Sequence, residues 1–154
     1  MRKYLNLSIA SLLAILTLCL SIPFSRKYLY HIDSAQFALG MKHYAIADHQ
    51  PHPPGYPLYI FLAKSIDYFI DDPNCSLIVL SIFFASLASI IYYYFTFIIT
   101  RNRAVSIISS LFFITNPLFW FYREVALNYT FDALAGIIIA FLSYYIIINK
   151  KRIN

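Results

Sequence analysis

Apolar residues arrive along this chain in long blocks, not at the alternating spacing of a half-buried strand. Leu77 to Ile99, LIVLSIFFASLASIIYYYFTFII, contains no charged residue. At 1.5 Å per residue such a helix covers roughly 34 Å, enough for a hydrocarbon core of about 30 Å. Tyr4 to Ile22, Ala104 to Tyr122 and Thr130 to Ile148 are each about 19 residues, also long enough to cross. Helices satisfy their own backbone groups in lipid. The pattern therefore predicts an all-α integral membrane protein with four spans, at 4–22, 77–99, 104–122 and 130–148.

A fifth apolar block, Leu58 to Ile70, is ambiguous. It holds about 13 residues, a length more typical of an interfacial segment than of a span, and it carries Lys64 and Asp67. Charge chooses between the readings. If this block stays at the surface, Arg2, Lys3, Arg101, Arg103, Lys150, Lys151 and Arg152 share one side. The acids Asp33, Asp48, Asp67, Asp71, Asp72, Glu124 and Asp132 then lie on or near the other. If it crosses, Arg101, Arg103 and the basic carboxy terminus move outside, against the positive-inside bias. We therefore expect both termini in the cytoplasm and a first outer loop over 23–75. Two juxtamembrane helices are expected in that loop. One covers Ser34 to Ala47, with Asp33-Ser34 as its N-cap and Gly40 as a local weakness; the other is Leu58 to Ile70. Between them, four prolines in the nine residues His49 to Pro57 exclude helix.

Composition narrows the function classes. The chain is 60% hydrophobic and 12% charged over 154 residues. Its net charge of +5 comes largely from basic clusters flanking apolar blocks, so no nucleic-acid partner is expected. Cys19 and Cys75 do not suggest a disulfide framework. With three glycines there is no glycine-rich phosphate loop. The amino terminus has a signal-like start. Its apolar run is longer than a signal core and lacks a small-residue cleavage site, so it reads as a retained anchor.

The candidate chemistry is carboxylate chemistry. No nucleophile elbow, zinc-protease motif or cysteine–histidine frame is present. Asp33, Glu124 and Asp132 sit near the expected membrane surface, where an acid not needed for solubility is a functional candidate. Each has a plainer reading beside it: a helix cap for Asp33, a solvated pair with Arg123 for Glu124, a dipole-complementing acid for Asp132. A surface aspartate could take the proton of an acceptor hydroxyl, while Lys42, Arg123 or a histidine holds a lipid phosphate. His31, His43, His49 and His52 raise a metal reading. Pro51 between His49 and His52 removes helical spacing, and no compact ligand signature is present. No cofactor is expected, with a divalent metal as the minor alternative.

Asp33-Ser34-Ala35-Gln36-Phe37 followed by His52-Pro53-Pro54-Gly55-Tyr56-Pro57-Leu58-Tyr59 resembles the amino-terminal region of GT-C superfamily membrane glycosyltransferases. These include the protein O-mannosyltransferases, the lipid A aminoarabinose transferases and related bacterial families. Asn116-Pro117-Leu118-Phe119-Trp120 and Glu124-Val125-Ala126-Leu127-Asn128-Tyr129 look similar to the same superfamily. The resemblance implies sugar transfer from a polyprenyl-phosphate-linked donor to an acceptor hydroxyl at the extracytoplasmic face, in a bacterial inner (plasma) membrane. It implies Asp33 as catalytic base and Glu124 as the second acid, with Asp132 the alternative. His52 and Tyr56 would line the cleft. Such enzymes have eight or more spans. Residues 1–154 are therefore expected to form one membrane domain, the amino-terminal part of a larger fold. Remaining spans or a partner subunit would complete it, and it would be inactive alone. The rival expectation is a small four-span protein without catalysis, such as a lipid-linked sugar flippase or an assembly subunit. A transporter would want ionisable residues at mid-bilayer, which these spans lack.

Overall fold

The computed structural model describes the backbone from Arg2 to Ile153 and the side chains of residues 4–148. Among the described residues, seven α-helices follow one another: α1 (Arg2–Ser21), α2 (Ile32–Lys42), α3 (Pro57–Ile70), α4 (Pro73–Thr100), α5 (Arg103–Ile114), α6 (Pro117–Arg123) and α7 (Tyr129–Ile153). Short 3-10 turns occupy Ile22–Phe24 and Ile46–Asp48. Among the described residues there is no strand, only an isolated bridge between Ala45 and Gln50.

Helix α4 is the centre, and every other α-helix touches it. Its ends are fixed by local chemistry. The Asp72 side chain accepts the Cys75 amide, Pro73 occupies the first turn where no donor is needed, and Arg101 closes the helix in the left-handed conformation. Serines let neighbours approach and cross-bond in an apolar setting. Thr17 on α1 and Ser89 on α4 are both fully buried and hydrogen-bonded at 3.0 Å. At the far end of this antiparallel pair, Asn6 Oδ1 accepts the Tyr93 hydroxyl at 3.3 Å and Arg103 Nε at 2.7 Å. The amino-terminal end of α1 thus lies beside the α4–α5 turn, gathering basic sequence at one end of the bundle. Asp33, Asp67, Asp71, Asp72 and Glu124 belong to the loops and helices at the opposite end.

Among the described residues, three helical segments are long and apolar enough to cross a membrane: Tyr4–Phe24, Pro73–Thr100 and Tyr129–Ile148. The expected span 104–122 is not one straight helix. It divides into α5 and α6 with a bend of 60°. Pro117 has no amide to donate back to Phe113, and the residue before a proline avoids helical backbone. Asn116 therefore leaves the helix at ψ 128°, and its side chain caps α6 by accepting Leu118 N and Phe119 N.

The first loop helix also differs from expectation. Helix α2 ends at Lys42, and the remaining residues to Ala47 turn instead of continuing it. Helix α3 covers the expected residues and folds back along the first turns of α4. Ser76 donates to Asp67 Oδ1 at 2.9 Å near one end, and Tyr59 and Ile60 near the other are buried in one core cluster with Leu77 and Leu80. Phe37, Met41, Tyr59, Ile60, Leu77, Phe84 and Val125 are buried in the larger core cluster, on which the polar loop rests.

Candidate functional site

The start of α2 is capped by His31, not by Asp33 or Ser34. His31 has extended backbone, and its Nδ1 accepts the Asp33 amide at 3.2 Å. Asp33 stands in the first helical turn, where the helix dipole favours an anion. Its side chain is 28% exposed, with His31 Nδ1 at 3.3 Å from Oδ2 and His52 Nδ1 at 4.0 Å from Oδ1. Two imidazoles therefore bracket one carboxylate.

The proline-rich segment brings His52 there by unusual backbone geometry. His49, Gly55 and Tyr56 all have positive φ, at 55°, 92° and 45°. Gly55 N donates to His52 O at 2.9 Å, and the Tyr44 hydroxyl donates to Gly55 O at 3.0 Å. Pro51 seats directly on Gly40. A Cβ on Gly40 would fall 2.7 Å from Pro51 Cδ and 2.8 Å from its backbone nitrogen. Gly40 is thus the contact that lets the loop dock. The Phe37 ring gathers His52, Tyr56 and Tyr59 at centroid distances of 5.3, 5.3 and 5.2 Å.

Asp132 on α7 acts on the same group through its charge, and Asn128 Nδ2 donates to its Oδ2 at 2.8 Å. Burial, then the Asp132 and Asp33 carboxylates, push the Tyr56 hydroxyl above its ordinary pKa, so it is held as a donor. Burial also pushes up the Tyr59 hydroxyl beneath it. The structure brings together Asp33, His52, Tyr56 and Asp132, with His31, weighed in the sequence only as a metal ligand, and Tyr59, seen there only as part of the resembling motif. His31 is an uncommon cap type, and Tyr59 reads as an ordinary aromatic of an apolar helix. Together they offer a proton-accepting carboxylate, two imidazoles and a phenol donor.

Three other sequence candidates lie elsewhere. Lys42 is nine residues beyond Asp33, roughly 180° around α2, and lines a separate cavity of about 380 Å³ with Leu29, Asp72 and Asn74. Arg123 is fully buried: its Nη1 donates to Ile114 O at 2.8 Å and its guanidinium lies 4.5 Å from the Trp120 ring centre. Glu124 is not a solvated acid but buried, closing α6, and its carbonyl accepts Arg26 N at 2.9 Å. Among the described residues, no three His, Cys, Asp or Glu side chains gather as a metal-holding group.

Fold and site together define a helical membrane protein with a carboxylate–imidazole–phenol cluster at the acidic end of its bundle. Residues 33–152 match the family model of the protein O-mannosyl-transferase TMEM260 N-terminal domain, and the chain belongs to that family. The match begins at Asp33 itself and extends through Asp132. It supports a protein O-mannosyltransferase-like relationship and does not carry the bacterial setting expected from the sequence. No curated protein and no solved structure matches the chain.

Proposed function

We propose that this chain is the base-bearing amino-terminal part of a GT-C-type enzyme. It transfers a sugar, mannose by kinship with its family, from a polyprenyl-phosphate-linked donor to an acceptor hydroxyl at the extracytoplasmic membrane face. The observation that carries this reading is Asp33: a part-exposed carboxylate with a histidine at each oxygen, at the first residue of the family match. Asp33 takes the acceptor hydroxyl proton as the oxygen bonds to the anomeric carbon. The carbon–oxygen bond to phosphate breaks on the opposite face, and its electron pair leaves with the phosphate. Tyr56 donates a hydrogen bond within the cleft, and Asp132 takes the place of second acid that Glu124 was expected to fill.

The donor phosphate needs a cation. Among the described residues, neither Lys42 nor Arg123 forms an ion pair with Asp33, whose carboxylate is flanked by His31 and His52. We assign the cation to the remaining spans or partner subunit that a larger fold would supply. Asp33→Asn in the full-length protein should lower transfer by about 10²- to 10⁴-fold while membrane insertion is unchanged. Wild-type turnover in that variant would overturn the assignment.

A further inference from the structure

His52 presents an unresolved account. Its Nδ1 is buried without a hydrogen-bond partner, although the side chain as a whole is 22% exposed. A buried polar nitrogen without a partner is unfavourable, and such atoms in folded proteins call for an explanation. The polar atom placed opposite it is Asp33 Oδ1 at 4.0 Å, just beyond hydrogen-bond reach. Catalytic hydrogen bonds are often long in unliganded structures and tighten in the substrate complex.

We propose that His52 is the positioning residue for Asp33, with Nδ1–H closing onto Oδ1 when substrate binds. This rests on the reading of Asp33 as the base. The contact fixes the carboxylate rotamer and leaves Oδ2 as the oxygen that receives the acceptor proton. His31 cannot take this role in the same state. Its Nδ1 already accepts the Asp33 amide, so that nitrogen carries a lone pair toward the helix and no proton. His52 is held ready by its surroundings. Phe37 packs tilted and Tyr56 edge-on against the ring at centroid distances of 5.3 and 5.2 Å, and its carbonyl is tied to Gly55 N.

The two amide isosteres separate the ring nitrogens. An asparagine places its NH₂ near the Nδ1 position; a glutamine reaches toward Nε2. In the full-length protein, His52→Ala and His52→Gln should lower kcat by about tenfold or more with KM unchanged, and His52→Asn should recover to within about threefold of wild type. Equal loss in all three variants, or no loss in any, overturns the proposal. A purely packing role would move KM and thermal stability of all three together. Nitrogen-15 spectra of histidine-labelled chain in lipid nanodiscs give a readout independent of turnover: His52 should be the Nδ1–H tautomer. An Nε2–H tautomer overturns the proposal. If Asp33→Asn stays active, the base reading fails while the tautomer measurement still reports the contact.

Discussion

At Ile114 the chain faces a local shortage of donors. Helix α5 stops there, Pro117 has no amide, and the Leu118 amide is given to the Asn116 side chain. The Ile114 carbonyl is satisfied instead by Arg123 from the next helix. Arg123 is therefore a clasp across the bend. Arg123→Met keeps much of the bulk but removes the donor, and should cost about 1–3 kcal/mol of stability, read by denaturant unfolding in detergent. Its neighbour Glu124 gives a pH-dependent signal. Burial raises its carboxyl pKa, against the pull of Arg123, Trp120 and Arg26. Folding therefore favours the protonated form. Its contribution to stability is full below the ordinary glutamate range and is lost as pH rises through the raised folded value. Glu124→Gln should raise the Tm near neutral pH and leave it unchanged in acid. A Tm difference that persists unchanged in acid would contradict the sign.

At the scale of elements, the docking of the proline-rich loop on α2 makes a prediction whose sign is diagnostic. Glycine to alanine inside a helix ordinarily stabilises by up to about 1 kcal/mol. Gly40→Ala should instead destabilise by about 1–3 kcal/mol, because the new methyl meets Pro51 backbone and ring. Thermal unfolding decides between the two. The elements were legible in the sequence where an apolar block coincides with good caps. Asp72 and Asn102 mark the starts of α4 and α5, and Leu58 to Ile70 emerges as α3 almost unchanged. The bend at Asn116-Pro117 was hidden by side-chain hydropathy, which does not register a missing backbone donor. For the site, Asp33 stood out as an acid near the expected membrane surface, and His52 and Tyr56 were implied by the resemblance. The approach of Asp132 from α7, and the closure of Arg123, depend on packing that no local pattern encodes.

For the whole molecule, the expected separation of charge implies two faces that reagents can distinguish. Cys19 and Cys75 are both exposed, so they must first be replaced. In that background, Ser65→Cys on α3 and Arg101→Cys at the α4–α5 turn should react with an impermeant maleimide from opposite sides of a sealed membrane. Labelling of both from one side would refute the arrangement.

The central position of α4 has a consequence for how damage spreads. The helices form a hub with spokes, not a closed ring: α1, α3, α5, α6 and α7 each meet α4, while α1 and α7 share no contact of comparable extent. A fault in one spoke leaves the other seats intact. A fault in the hub reaches more than one seat, since Ser89 bonds Thr17 of α1 and Ser81 bonds the Leu127 carbonyl just before α7. Tolerance to sequence change should therefore be lowest along α4, a helix that contains none of the proposed chemistry.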